Sequence, residues 1–185
     1  MEEKTKLILN EITNELSVRF KALLDICESP IEEYFLINIC NHFFKESLLG
    51  VQFDFMTRWI DFPHSKEKFN YQENGCDVFG FIYGIKITNG DNITLEIIPQ
   101  YKVKRFRLDF AILINTPNKL IKFCVECDGF EHHKSKIQQK EDNTRTRELT
   151  KDGWITVRYT GSELFNWDKN DAFGFELILL GFLSK

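Results

Sequence analysis

Two carboxylates face each other across a short hairpin that the sequence predicts around Pro117 and Asn118. Asp109 lies eight residues before Pro117 and Glu126 eight residues after Asn118, so a two-residue loop places the two acids directly opposite each other. Opposed side chains have Cβ atoms about 4.5–5.5 Å apart, and two carboxylates at that spacing repel unless a cation lies between them. Mg²⁺ suits such a place, because it binds a few carboxylates together with water and substrate phosphates. The spacing therefore indicates a metal site, which a one-residue bulge would disrupt.

The two acidic side chains have a second interpretation, as members of a solvent-facing row of charges. In that interpretation they pair with basic neighbours such as Arg107 and Lys122, and the same register places Arg107 opposite Asp128. Alternation along the strands puts Leu108 and Phe110 on the core side of the sheet and both carboxylates on the other side. The hairpin geometry alone leaves a metal site and an ordinary charged surface open.

Helices and strands predicted around the hairpin form the frame that must position these side chains. Helices are predicted over residues 4–27, 29–46, 135–152 and 171–180, and strands over 81–88, 92–98, 104–115, 120–128 and 154–159. Ser29 is the predicted N-cap of the second helix, Pro30 its first residue and Glu32 the partner in a capping box. The final strand–helix–strand succession is typical of a right-handed crossover between parallel strands. Together these elements predict an α/β sandwich around a mixed sheet.

Length and composition restrict the class of protein. The chain has 185 residues, enough for one domain with an elaboration. Its 43% hydrophobic and 28% charged residues exclude a disordered, collagen-like or membrane-spanning chain. The charged N-terminus lacks a signal-peptide pattern, and the odd number of five cysteines indicates reduced thiols. We therefore expect a cytoplasmic protein without a membrane partner.

The distribution of charge favours a nucleic-acid partner more than the net charge does. The chain carries a formal charge of −4, but residues 99–158 hold 13 Lys and Arg against 8 Asp and Glu. The rest of the chain is acidic, with 11 basic residues against 20 acidic ones. Because local charge governs an interface, the sequence predicts a basic groove on an acidic body. A merely solvated basic face remains the alternative.

Several motifs, taken in order, resemble the PD-(D/E)XK nuclease superfamily. They are Pro-Gln at 99–100, Arg-Leu-Asp-Phe at 107–110, Val-Glu-Cys-Asp-Gly at 125–129, and His132. Downstream residues fall at the spacing of the branch related to very-short-patch repair endonucleases: Asp142, Arg145, Leu149, Gly153 and Arg158. The Ser-Pro-x-Glu start of the second helix also matches this branch, and residues 158–163 resemble its closing strand and turn. The resemblance spans about residues 29–163 and is loose between 51 and 95.

The resemblance implies a restriction-endonuclease-like αβββαβ core with a mixed sheet. That core would form a single compact nuclease domain over residues 29–185, with residues 1–28 as an N-terminal helical extension and one further C-terminal helix. The implied activity is Mg²⁺-dependent endonucleolytic hydrolysis of phosphodiester bonds, in DNA, with Mn²⁺ as a substitute ion. A homodimer stays open, and so does a catalytically degenerate fold that only binds nucleic acid or protein.

The resemblance also implies roles for individual residues. Asp109, Glu126 and the backbone carbonyl of Cys127 would hold the metal ion, and Glu32 would bind a second ion or orient water. Glu32 has an equally simple interpretation as a capping residue alone. Asp128 stands where the superfamily motif has a lysine, and a carboxylate cannot stabilise the charge of a phosphate.

Other side chains near the motif are candidates for the lysine's task and for substrate contacts. Lys136, with Lys134 behind it, is the candidate for a relocated lysine, and an ordinary phosphate-contacting or solvated role is the alternative for both. His132 is a candidate general acid or base, or a donor to phosphate. Arg145 is expected to face the phosphates and to be oriented by Asp142, with a plain i,i+3 surface pair as the alternative.

Two further residues complete the set predicted to contact nucleic acid. Gln100 lies on the predicted strand beside the hairpin, and Arg107 lies two residues before Asp109. With Arg145 and Lys134 they make up the candidate nucleic-acid-binding residues.

Overall fold

The computed structural model describes residues 2–46, 52–60, 69–73, 76–88, 93–129 and 136–166. The helices within these ranges are α1 (Glu2–Leu24), α2 (Pro30–Glu46), α3 (Lys136–Lys151) and α4 (Gly161–Phe165). The strands are β1 (Gln52–Ile60), β2 (Phe69–Glu73), β3 (Cys76–Thr88), β4 (Thr94–Val103), β5 (Phe106–Asn115), β6 (Leu120–Asp128) and β7 (Trp154–Thr160). The turn predicted at Asn89 and Gly90 and the helix predicted at 171–180 lie outside the described residues. Within the described ranges, no helix is both long and apolar enough to cross a bilayer.

The strands form one mixed sheet of seven members. Its order is β1-β3-β4-β5-β6-β7, and β2 pairs with β3 beside this path. Every pair is antiparallel except β6 and β7, which run parallel and are joined through α3. The succession α2, β4, β5, β6, α3, β7 reproduces the predicted αβββαβ order. The prediction of a mixed α/β fold, consistent with a restriction-endonuclease-like core, is confirmed.

The hairpin of β5 and β6 has the predicted register. Its pairs run from Asn115–Leu120 at the turn to Phe110–Val125. Thr116 closes the turn, because its backbone N–H donates to the Lys119 carbonyl at 2.9 Å. The next pair in this register would be Asp109 and Glu126, which therefore lie just beyond the last paired residues.

The ladder between β4 and β5 is interrupted next to Asp109. Pairs lie on both sides of the interruption, at Pro99–Phe110 and Tyr101–Leu108, and Gln100 between them has a φ of 51°. A left-handed φ costs an L-residue roughly 1–2 kcal/mol, so tertiary contacts must hold it. The strands change face here, and Leu108 packs in a different core from Phe110. The prediction that these two side chains share one face is wrong, because strict alternation does not survive the irregularity.

A hydrophobic core lies on each face of the sheet. The larger core lies under α1 and α2, where the Phe35 ring centroid is 4.8 Å from that of Phe110 and 5.6 Å from that of Tyr159. The smaller core packs Leu149 of α3 and Trp154 against strand residues: Met56, Ile98, Leu108, Ala111 and Cys124. Burying one such side chain stabilises the fold by roughly 1.5–3 kcal/mol. The two cores hold β5 and β6 from both faces and so fix the strand ends that carry the carboxylates.

The end of α3 leads directly into the parallel strand. Gly153 follows the helix with a φ of 78°, a conformation that glycine adopts without strain, and this confirms it as the helix stop. The strand β7 then ends at Thr160, which is the N-cap of α4 and forms a full capping box with Glu163. The expectation of only a strand and a turn over residues 158–163 is therefore incomplete, because a short helix follows the strand.

Candidate functional site

Asp109 lies at the interruption between β4 and β5, and its carboxylate is fixed by the neighbouring strand. The backbone N–H of Cys127 donates to Asp109 Oδ2 at 2.7 Å. Burial raises the pKa of Asp109; the hydrogen bond from Cys127 opposes this, and the charge of Glu32 adds to it. The net direction is upward, so the ionised form of this carboxyl group lacks full compensation in the metal-free protein.

Glu126 is buried, with 6% of its surface exposed, which contradicts its interpretation as a solvent-facing charge. Its Oε1 accepts a hydrogen bond from Arg145 Nη2 at 2.7 Å and from Cys124 Sγ at 3.0 Å. Burial raises the pKa of Glu126, the Cys124 thiol and Arg145 counteract this, and the charge of Asp109 raises it further. Burial also raises the pKa of the Cys124 thiol, which keeps this donor protonated.

The two carboxylates have the donor chemistry that a hard cation requires. Among the described residues, no hydrogen bond engages Asp109 Oδ1 or Glu126 Oε2, so each group offers one oxygen. Both pKa values are raised, and a divalent ion would offset the desolvated negative charge. Within the described part of the chain, no three His, Cys, Asp or Glu side chains are grouped as a metal site. The residues present fit a site of two carboxylates, and a backbone carbonyl, such as that of Cys127, and water would supply the further ligands.

Glu32 combines a structural contact with a place beside the candidate site. Its Oε1 accepts from Ser29 Oγ at 2.9 Å and its Oε2 from the backbone N–H of Glu28 at 3.0 Å, which ties down the start of α2. The same Oε2 accepts from Gln100 Nε2 at 2.7 Å. This contact links α2 to Gln100, which lies at the interruption of the ladder next to Asp109. The predicted contact of Gln100 with nucleic acid stays a prediction. Only 5% of Glu32 is exposed, and its capping role and its position near the site coexist.

Arg145 points into the site rather than outward. Its Nη2 donates to Glu126 and to the backbone carbonyl of Arg107. Its Nε is buried and has no hydrogen-bond partner in the described part of the chain. The guanidinium lies 6.0 Å from the ring centroid of Phe106. The predicted contact of Arg145 with phosphate stays a prediction, and in this structure a site carboxylate holds the side chain.

The predicted pairing of Arg107 with Asp128 is wrong. Arg107 forms an ion pair with Glu28, just before α2. Asp128 instead accepts from Arg158 Nη1 at 3.2 Å to each of its two oxygens. The reason is topological, because the pairing of β5 with β6 stops before Arg107, whereas β7 accompanies β6 as far as Asp128.

Three predicted residues cannot be placed by their side chains. His132 and Lys134 lie outside the described residues, and Lys136 is described only as the first residue of α3. Their roles as acid, base or phosphate contact stay predictions.

The structure adds residues that the sequence interpretation did not include in the site. Cys124 donates to Glu126, and the signal was present, because residues two apart in a strand share a face. Arg158 is the register neighbour of Glu126 in the parallel ladder, a relation that follows only once the two strands are aligned. Glu28 neutralises Arg107, and nothing in the local sequence indicates this contact between distant segments.

The comparisons with known proteins agree with the geometry. Residues 91–173 match the protein-family model REase_MTES_1575, a restriction endonuclease-like family. The matched span covers β4 through α4 and contains Asp109, Glu126 and Arg145. No curated protein and no solved structure matches the chain significantly. The family match supports a nuclease of the PD-(D/E)XK type, and the branch related to very-short-patch repair endonucleases is not confirmed.

Proposed function

We propose that the protein is a metal-dependent endonuclease that hydrolyses phosphodiester bonds in DNA. One observation carries this proposal: Asp109 and Glu126 directly adjoin the last pair at the open end of one hairpin, and within the described residues each keeps one carboxylate oxygen out of any hydrogen bond. The match of this segment to a restriction endonuclease-like family supports the reaction class.

The donor set suits Mg²⁺, with Mn²⁺ as a substitute. A bound ion of this kind lowers the pKa of its water and polarises a phosphoryl oxygen. Asp109 and Glu126 would hold the ion, and the N–H of Cys127 fixes the carboxylate of Asp109 for that purpose. Arg145 favours the ionised form of Glu126. A carboxyl group must be ionised to bind a metal ion.

The remaining roles follow from position and charge. Glu32, anchored at the start of α2, would orient water or a second ion next to Asp109. His132 would move a proton, and Lys136 or Lys134 would meet phosphate charge at the start of α3. The basic segment 99–158 would bind the polynucleotide backbone, because the rest of the chain is acidic.

A second candidate function is binding without cleavage. The observation that favours it is the ion pair between Arg145 and Glu126, which occupies one oxygen of a required ligand. Asp128 in place of the motif lysine points the same way. A degenerate fold of this kind would bind nucleic acid or protein and leave phosphodiester bonds intact.

Incubation of supercoiled plasmid with Mg²⁺, Mn²⁺ or chelator separates the two candidates. We expect metal-dependent conversion to nicked or linear DNA, and a loss of at least about 100-fold in rate for Asp109→Asn. The matched control is Asp54→Asn, which removes an exposed carboxylate on β1 and should leave the rate unchanged. Salt-sensitive binding without any cleavage would establish the binding module instead. Equal cleavage by Asp109→Asn would remove the carboxylate pair from the reaction.

A further inference from the structure

A polar hollow opens beside the carboxylates, between α3 and β7. Its volume is about 350 Å³, and Asp142, Asn143, Thr146 and Arg158 line it. Three of these side chains can donate hydrogen bonds, namely a guanidinium, an amide and a hydroxyl group. Such walls suit a polar, oxygen-rich ligand rather than an apolar one.

Arg158 is held in place but retains donors. Its Nη1 lies 3.2 Å from each oxygen of Asp128, so one nitrogen anchors the guanidinium. Within the described part of the chain, neither Nη2 nor Nε of Arg158 makes a hydrogen bond. About a third of the side chain is exposed, 34% of its surface, which leaves these donors accessible. A planar guanidinium with two available donors matches the geometry of two phosphate oxygens.

The hollow adjoins the candidate metal site. Glu126 and Arg158 are register neighbours in the parallel ladder, and adjacent strands lie only about 4.8 Å apart. A polynucleotide whose scissile phosphate lies at Glu126 would therefore carry a neighbouring phosphate past Arg158.

We propose that this hollow is a phosphate-binding subsite for a phosphodiester next to the scissile one, with Arg158 as its cation and with Asn143 and Thr146 as further donors. This inference rests on the proposed nuclease function. The contact of Arg158 with this neighbouring phosphate would hold the substrate beside the carboxylates.

The surrounding charges make the subsite dependent on a divalent ion. Asp128 and Asp142 both interact with Arg158, and Glu126 lies next to it, so the region is not positive without a cation. A divalent ion at Asp109 and Glu126 would mask part of this negative charge. Arg158 should therefore contribute to DNA binding when Ca²⁺ is present and contribute little in chelator.

Fluorescence anisotropy of labelled duplex DNA, across a salt series with Ca²⁺ and with chelator, tests this. In Ca²⁺, Arg158→Gln should weaken binding by about ten- to a hundredfold, as expected for loss of a charge-assisted contact. The slope of log K against log salt should become shallower by about 0.9, as for one lost phosphate contact. In chelator the variant and the wild type should be alike. Arg19→Gln, which removes an exposed arginine of α1, is the control and should match the wild type in both conditions.

A second comparison separates phosphate contact from simple neutralisation of Asp128. In Ca²⁺, the double variant Asp128→Asn/Arg158→Gln should bind DNA more weakly than the single variant Asp128→Asn. Its salt slope should again be shallower. If the two bind equally, Arg158 only neutralises Asp128 and the subsite inference is wrong. If the wild type itself shows no salt-sensitive binding in Ca²⁺, the proposed nuclease function fails as well.

Discussion

At the scale of single residues, Asp109 and Glu126 are partly desolvated carboxylates. Burial disfavours their charged forms, and hydrogen-bonding and charged neighbours favour those forms. Burial is the largest cause of the raised pKa of each group, and a backbone N–H, a thiol and Arg145 only partly compensate. Uncompensated charge of this kind is more frequent at functional sites than elsewhere, although structural ion pairs also produce it. A cation would complete the compensation, which connects the electrostatics of the free protein with its proposed chemistry.

The raised pKa of Asp109 predicts how stability depends on pH. A carboxyl group with a higher pKa in the folded than in the unfolded protein binds more protons when folded. The free energy of unfolding therefore falls as the pH rises from the unfolded value, about 3.9, through the raised folded value. In chelator, Asp109→Asn should remove part of this fall and should keep an acceptor for the Cys127 N–H.

Thermal unfolding in chelator between pH 4 and 8 measures this effect. At pH 7–8 the variant should melt at a higher temperature than the wild type, and the difference should shrink toward pH 4. The control Asp54→Asn changes an exposed group and should not reproduce this trend. A variant that is less stable than the wild type at pH 8 would show that Asp109 is compensated without a metal ion.

The residue scale also shows what the sequence could and could not supply. The opposition of Asp109 and Glu126 follows from counting along a two-residue loop, and the observed register agrees with that count as far as the adjacent pair, Phe110–Val125. The prediction that Leu108 shares a face with Phe110 is wrong because the ladder is interrupted at Gln100, which has a left-handed φ. A glutamine gives no sequence signal for that conformation. The predicted pairing of Arg107 with Asp128 is wrong because the long side chain of Arg107 reaches Glu28, which is remote in sequence.

At the scale of elements, the β4–β5 hairpin sets the position of Gln100 and Asp109. Its turn consists of Lys104 and one further residue between the paired Val103 and Phe106, and Lys104 has a φ of 52°. Glycine adopts such a φ readily, whereas an L-residue is strained there. A less strained turn should therefore stabilise the hairpin without changing its register.

Lys104→Gly should raise the free energy of unfolding by about 1 kcal/mol, as judged from the strain of a left-handed residue. The ion pair that Lys104 makes with Asp152 is only partly buried, so its loss should cost little. Lys102→Gly is the matched control within β4, and there glycine should destabilise the strand. Urea unfolding measures both variants; a loss of stability with Lys104→Gly would contradict the strained-turn account.

Elements differ in how well their sequence patterns predict them. The start of α2 is marked by Ser29, Pro30 and Glu32, and the side chains of Ser29 and Glu32 make the expected contacts there. The strands β1 and β2 were not predicted, because a bulge between Met56 and Thr57 interrupts the alternation in β1 and because β2 is only five residues long. The helix α4 is only five residues long, too short for a helical period to appear in the sequence.

At the scale of the whole molecule, charge is divided between an acidic body and a basic segment. The chain has a net charge of −4, so the proposed association with DNA would rest on residues 99–158 and on masking of the site carboxylates by a cation. We expect weak binding of duplex DNA in chelator and tighter binding with Ca²⁺, which occupies such sites.

Affinity in Ca²⁺ should fall steeply with salt, by a log–log slope of about −0.9 for each phosphate contact. Anisotropy at a fixed ionic strength, with Ca²⁺ and chelator compared, provides the measurement. An affinity that changes neither with salt nor with the divalent ion would show that the surface does not bind phosphate groups.

The direct test of the central claim, that Asp109 and Glu126 form one cation site, is a titration of the protein with Mn²⁺, with free ion followed by electron paramagnetic resonance. The account predicts saturable binding to the wild type and to Asp54→Asn in the absence of DNA. It predicts affinity at least about tenfold weaker for Asp109→Asn and for Glu126→Gln. Wild-type protein that binds no Mn²⁺, or variants that bind it as tightly as the wild type, would contradict the claim.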